Sequence, residues 1–579
     1  MSLAKPIQSR AGAAAGSMED WVSIESLSIS DSAEHMTDRI TRVQADLQEL
    51  AAFYKVETSP SRYARFRSYY DDELGSLSQA PFDTYSQDEK ADFVLLKNHL
   101  TRARRQLELE KARDEEFAPL FEPYAADIRD WLEARMRVAK IAPQEVASSF
   151  HALIDKVAEC ESLAAKDATS KFSKAAGYRA VKMIAKLREH LKEMYDFYNG
   201  YEPLWDWWVR EPYARLEAAL TQMTTTLNNV VVGIKPGDDD AIVGEPIGRD
   251  GLFAELQAEM MPYTPEELIR IAENEYKWCE SEMIKASKEL GFGSEWRAAL
   301  EHVKDLIEPP GSQPVFIKSL VDDGTNYVKK HDLVTIPRVA EEAIRMVMIP
   351  PRQQKVSPFF LGGPVLYVSY PTADMTHADK MMSMRGNNRH FSKATAFHEM
   401  IPGHHLQLFV AERSKPHRQS FETPFYIEGW ALYWELVFWA RGDFFTSPED
   451  RVGTLFWRMH RCARIIFSLK FHLGQMTPAE CIDLLVNWVG HERATAEGEV
   501  RRSFNGDYGP LYQAGYLLGA LQLWKLRREV VDGGILKEKV FHDRILKANM
   551  MPIEVLRALI LEEELPKDFE SKWRFYGDI

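Results

Sequence analysis

The stretch "ATAFHEMIPGHHLQLF", residues 394–409, decides how the chain is read. It almost carries the pattern His-Glu-x-x-His, in which two histidines four apart share a helix face and bring both imidazoles to one metal ion. Position 402, where the second histidine belongs, is Pro402, and His404 and His405 follow. At about 100° per residue on a straight helix, His404 points well away from His398, and His405 returns to that face only two turns on. Pro402 removes an N–H and clashes with the preceding turn, while Gly403 admits conformations closed to other residues. A bulge or break there carries His404 back towards His398. The sequence therefore favours His398 and His404 as metal ligands, with His405 as the rival.

A third ligand is needed, and "YIEGWALYWELVFW" (426–439) offers one. The segment is apolar nearly all round, which implies a buried helix. It nevertheless carries Glu428 and Glu435, seven apart and so on one face. A buried carboxylate needs a cation, a metal or several donors. Glu428 on the metal and Glu435 against a ligand histidine would satisfy both. Two neutral imidazoles and a carboxylate leave a fourth position on Zn2+ for water and lower its pKa towards roughly 7. Glu399, next to His398, is then the base for that water. A tyrosine O–H aimed at the polarised carbonyl would stabilise the oxyanion by about 3 kcal/mol.

Outward from this motif the dominant signal is helical. "ITRVQADLQELAAFYKV" (40–56), "DWLEARMRVAKI" (130–141) and "YRAVKMIAKLREHLKEMYDFY" (178–198) repeat apolar residues at three- and four-residue intervals. "VGIKPGDDDAIVGEPIGRDG" (232–251) concentrates turn-forming residues and marks the best boundary. "TPEELIRIAENEYKWCESEM" (264–283) then opens with a threonine cap, a proline and first-turn acids. Only "PFFLGGPVLYVSYP" (358–371) argues for extended structure, as a strand edge beside the metal helix or as a short hairpin. The expected fold is mainly α: a two-lobed helical architecture with a small β segment beside a deep central cleft. Residues 1–17 are expected to be disordered, 18–234 to form an N-terminal helical lobe, and 235–579 the catalytic lobe.

Composition narrows the function classes. The 579 residues are 45% hydrophobic and 27% charged, enough to bury a large core. A formal charge of -15 disfavours nucleic acid and anionic membranes as partners. Cys160, Cys279, Cys462 and Cys481 are widely spaced and form no CxxC pair, so a cytoplasmic, reducing location is expected. The N-terminus "MSLAKPIQSRAGAAAGS" lacks the apolar core of a signal peptide, and no stretch approaches membrane-spanning length.

"HEMIPGHHLQ" followed by "EGWALYWE" resembles the family known as domain of unknown function 885, whose members read His-Glu-x-x-Pro-Gly-His-His and then Glu-Gly-Trp-Ala. The resemblance runs from about residue 40 to the C-terminus and is specific over about 365–530. It implies a mainly helical zinc metallopeptidase without a defined substrate. The chain is also similar to the thimet oligopeptidase family, in which a ligand glutamate follows the motif at this distance and a second stands seven residues on, as Glu428 and Glu435 do. That family's Tyr-Asp-Ala-x-Tyr-Tyr-Gly-Tyr stretch steadies the transition state, and "YQAGYLLG" (512–519) matches it at Tyr512 and Tyr516. Tyr512 is the first choice for the oxyanion and Tyr516 the second. The pattern's last tyrosine falls on Gly519, and Ser468 stands where relatives carry aspartate.

Arg458, Arg461 and Arg464 recur at three-residue steps in "FWRMHRCARIIFSLKFH" (456–472) and are candidates to clamp a substrate carboxylate. The charges of "ERATAEGEVRRSF" (492–504) are explained mostly by pairing within one helix. The reading is a zinc-dependent hydrolase that cleaves amide bonds in a peptide or peptide-like small molecule. The alternatives are metal-assisted chemistry on a non-peptide amide or ester, motivated by Gly519 and Ser468, and a helical binding protein with a structural metal. Glu399 speaks against the last, since a structural metal needs no base.

Overall fold

A computed structural model describes residues 34–167, 171–235, 237–238, 241–354, 361–506 and 508–577. The chain is mainly α-helical, with two short strands among the described residues. The expected disorder of residues 1–17 lies outside them.

A helix of 50 residues, Gln87–Met136, organises the N-terminal part. It opens with a reciprocal cap between Ser86 and Glu89, which satisfies two donors that a helix start leaves orphaned. At 1.5 Å per residue it spans roughly 75 Å, long enough to serve two cores. Its first half buries Phe93, Leu96 and Leu100 in the main core, and its second half buries Phe117, Tyr124 and Ile128 in another. The second core is completed by the helices Pro143–Asp167, Lys174–Tyr198 and Pro203–Thr226.

The two cores do not divide at 234/235. Ile40, Phe66 and Leu77, on the helices Met36–Phe53 and Pro60–Ser78, belong to the same apolar cluster as Leu256, Leu268 and Trp430. The second cluster is built mainly from about 117–231, with Val56 joining it, and the first two helices pack on the long helix. Described residues between Gly233 and Ile247 form no helix, as their glycine and proline content implies, and a helix resumes at Gly248–Ala258.

Part of the expected extended segment is a strand. Leu366–Val368 (β2) pairs in parallel with Met346–Met348 (β1), and Leu361 bridges back to Tyr367. Residues 358–360 lie outside the described residues. Leu366 and Val368 share a small apolar cluster with Phe316 and Leu320 of the helix Gln313–Lys330 and with Ala396 and Met400 at the helix Arg389–Glu399.

Three further helices carry the rest of the site. Pro424–Arg441 starts on a Thr423 cap and ends at Gly442, whose φ of 74° suits a residue without Cβ. Pro448–His472 packs on Arg389–Glu399 through Gly453, where a Cβ would collide with the His390 carbonyl. Tyr512–Arg527 lies against Pro424–Arg441 through facing glycines: a Cβ on Gly429 would sit 2.8 Å from Gly519 Cα, and one on Gly519 would strike the Phe425 carbonyl. A tyrosine has no room at 519, so this departure from the oligopeptidase pattern is a consequence of helix packing.

Gly519→Ala is expected to destabilise the protein by about 1–3 kcal/mol, the usual cost of overpacking. Gly75→Ala, in a helix with open space around it, should be neutral or stabilising by up to about 1 kcal/mol. Thermal midpoints of the two variants check this, and equal shifts would contradict the packing argument.

Candidate metal centre

The helix Arg389–Glu399 is anchored at both ends. At its start the Asn388 side chain accepts from the His390 and Phe391 amides at 3.0 and 3.3 Å and donates to the Val303 carbonyl at 2.7 Å. At its end the chain breaks over Met400–Gly403 and resumes as the helix His404–Ala411. The Gly403 amide donates to Phe397 O at 3.1 Å, and a Cβ on Gly403 would overlap the His398 carbonyl, so glycine alone fits this approach. Trp430 Nε1 donates to Pro402 O at 2.9 Å, which ties the break to the helix that carries Glu428.

This break turns His404 towards His398. The two rings lie 5.0 Å apart between centroids. Glu428 Oε2 is 3.1 Å from His404 Nε2 and 3.7 Å from His398 Nε2. Among the described residues, His398, His404 and Glu428 form the one group of three whose donor atoms all lie within 4.8 Å of one another. His405 faces elsewhere: its ring nitrogens lie 2.9 Å from Gly363 O and 2.7 Å from Ala340 O.

The neighbours of this cluster orient it. His398 Nδ1 donates to Glu435 Oε1 at 2.9 Å, which leaves Nε2 directed at the cluster. The Tyr512 hydroxyl donates to Glu428 Oε1. The Tyr516 ring is nearly parallel to His398, with centroids 6.3 Å apart. Glu399 is walled by Gly362, where a Cβ would overlap the Glu399 carboxylate and carbonyl. That glycine, on the loop before β2, had no signal in the sequence beyond its pairing with Gly363.

Electrostatics follow from burial. Burial opposes ionisation of Glu428, but the charges and hydrogen bonds of His404 and His398 outweigh it and hold the carboxyl well below the usual range. Burial likewise opposes a charged His398, yet Glu428 and Glu435 push it up to about 9. Burial raises Glu399, and the Glu428 charge adds to this against His398, His404 and Arg461. Burial and Glu428 raise Tyr512.

The three arginines separate. Arg458 pairs with Glu275 at 2.7 Å and lies over Trp278, away from the cluster. Arg461 and Arg464 lie over Tyr516, 5.8 and 4.6 Å from its centroid. Behind them is a polar network that sequence spacing did not announce: His491 Nε2 is 2.9 Å from His460 Nδ1, and Glu499 accepts from Arg464 at 2.7 Å and Gln513 at 3.1 Å. Ser468 is buried and bonds only its own helix, to Ile465 O. A cavity of about 560 Å³ is lined by Phe391, Phe456 and His491 but by none of the three clustered residues. A cavity of about 430 Å³, lined by Arg102, Glu259, Thr423 and Tyr512, reaches the cluster through Tyr512.

The family model for a bacterial protein of unknown function, DUF885, matches residues 24–560. The chain belongs to this family. Among solved structures, the chain is similar in fold to a protein from Shewanella oneidensis, provisionally described as a lipoprotein of unknown function. It is 16% identical with a TM-score of 0.67, over 91% of this chain and 99% of that one. A protein from Colwellia psychrerythraea, also provisionally described as a lipoprotein, is 16% identical with a TM-score of 0.50, over 75% and 76% of the two chains. Both likenesses concern the fold. No curated protein matches the sequence. For this DUF885 chain no helix among the described residues is long and apolar enough to cross a membrane, and the four cysteines are buried and free.

Two outcomes follow from the geometry. His404→Ala should abolish metal binding while His405→Ala retains it, read as metal per chain after dialysis; the reverse ranking would move the ligand role to His405. Glu435→Gln should keep the metal but weaken its affinity by about 10- to 100-fold, the usual effect of losing a carboxylate behind a ligand histidine. A metal titration against a competing chelator measures this.

Proposed function

We propose that the protein is a zinc-dependent hydrolase that cleaves amide bonds in peptides or peptide-like small molecules. The observation that carries this reading is the convergence of His398, His404 and Glu428 beside Glu399. The donor set fits Zn2+: two imidazole nitrogens and one carboxylate oxygen, all buried, with Glu435 fixing the His398 tautomer. Zn2+ held there supplies Lewis acidity, polarising a carbonyl and making water a competent nucleophile near neutral pH.

The chain's own residues supply the rest. Glu399 accepts the water proton as the water oxygen bonds to the carbonyl carbon, and returns it to the leaving nitrogen as the C–N bond breaks. The Tyr512 hydroxyl, beside the ligand carboxylate, and that of Tyr516 are the donors for the developing oxyanion. The cavity between Arg102 on the long helix and Tyr512 suits entry of substrate.

The packing explanation for Gly519 removes one motive for a non-peptide substrate. A purely structural metal leaves Glu399 without a role, although burial makes that carboxylate costly.

Glu399→Gln should preserve fold and metal content and lower turnover by roughly 10²–10⁴. The check is hydrolysis of a peptide and N-acyl amino acid library by wild type and variant at equal zinc content. Unchanged turnover would reject Glu399 as the base.

A further inference from the structure

The cluster of Arg461, Arg464 and Arg502 holds guanidinium N–H groups that lack acceptors. All three are buried, on the helices Pro448–His472 and Arg493–Phe504. Glu499 accepts from Arg464 Nε at 2.7 Å and lies 4.0 Å from Arg502, whose Nη2 donates to the Tyr508 hydroxyl at 2.9 Å. Glu435 is 3.5 Å from Arg461 and already accepts from His398, and Glu399 also feels the Arg461 charge. A buried guanidinium whose N–H groups lack acceptors is strongly unfavourable, so unfilled donors here point to an anion that completes the site.

Arg461 is the least satisfied of the three. Its Nε has no hydrogen-bond partner, and its Nη1 reaches only Trp457 O at 3.4 Å. Arg464 makes no hydrogen bond beyond the one through Nε among the described residues. Arg458, three residues earlier, also has an unpartnered Nε, but its Nη2 donates to a close acid, Glu275, at 2.7 Å. Both under-used guanidinium groups lie over Tyr516, whose ring also neighbours His398 and Tyr512. Arg461 Nη2 and His398 Nδ1 lie 3.5 and 2.9 Å from the same Glu435 oxygen, so guanidinium and ligand ring are at most about 6.4 Å apart, which one to two extended residues cover at about 3.3–3.6 Å each.

We propose that Arg461 and Arg464 seat a free α-carboxylate on the leaving side of the substrate, so that cleavage takes place one or two residues from a C-terminus. This rests on the hydrolase reading above and narrows its substrates to amides whose amine portion ends in a carboxylate. Planar guanidinium forks match a carboxylate in charge and geometry. Arg502 stays with Glu499 and Tyr508 and is not part of the seat.

The test uses zinc-loaded Glu399→Gln protein and two acid–amide pairs, N-acetylphenylalanine and N-benzoylglycylphenylalanine with their carboxamides, titrated calorimetrically. The acid of at least one pair should bind about tenfold or more tightly than its amide, on the scale of a buried charge pair. Arg461→Gln and Arg464→Gln in the same background should each erase that preference at unchanged zinc content. The absence of acid preference in both pairs overturns the proposal, and this comparison needs no arginine variant to fold. A preference that survives both arginine replacements comes from the metal and overturns it as well. Hydrolysis is followed separately with zinc-loaded wild type. Cleavage of amides as fast as acids sinks the carboxylate seat and keeps the hydrolase reading; arginine-dependent acid binding without cleavage of any peptide does the reverse.

Discussion

Glu428 stands in a helix made largely of tryptophan, tyrosine, phenylalanine and leucine, and its side chain is buried. A carboxylate in such surroundings is tolerated only if cations or donors face it. His398, His404 and the Tyr512 hydroxyl do so. Each comes from a different helix, so satisfying one acid fixes three packing relations at once. Glu435, one heptad further on, imposes the same condition and meets it with His398 Nδ1 and Arg461. The geometry of the centre follows from the need to bury two acids without leaving them unpaired.

Close backbone approach makes that geometry available. Gly403 lets the chain fold back over His398, and the Trp430 indole holds the break from the opposite helix. Gly429 and Gly519 allow Pro424–Arg441 and Tyr512–Arg527 to approach closely enough for Tyr512 to reach Glu428. Gly453 does the same between Pro448–His472 and the start of Arg389–Glu399. Gly362 lets the loop before β2 approach Glu399 closely. These glycines set distances that longer side chains would forbid.

Much of this arrangement was legible in the residues. The helical build follows from apolar periodicity, and the pair Glu428 and Glu435 announces itself as two acids in an apolar segment. The choice between His404 and His405 depended on how the chain breaks at Pro402, which local propensity leaves open; tertiary contacts from Trp430 and Glu428 settle its course. The arginines illustrate the limit of spacing. Three residues on a helix turn about 300°, so each step rotates the stripe by about 60°, and Arg458 falls on a different side from Arg464. The strand Met346–Met348, the contact of His460 with His491 and the sharing of one long helix by two cores all pair segments far apart in sequence, for which a single chain carries no periodic signal.

The central claim, that His398, His404 and Glu428 hold one transition metal, is tested most directly by a crystal structure of the zinc-loaded protein with anomalous data collected across the zinc edge. The account predicts one strong peak about 2.0–2.2 Å from His398 Nε2, His404 Nε2 and a Glu428 oxygen, with Glu435 bonded to His398 and outside the coordination sphere. A peak bound instead by His405 or Glu435, or no peak between these side chains in fully loaded protein, would contradict it.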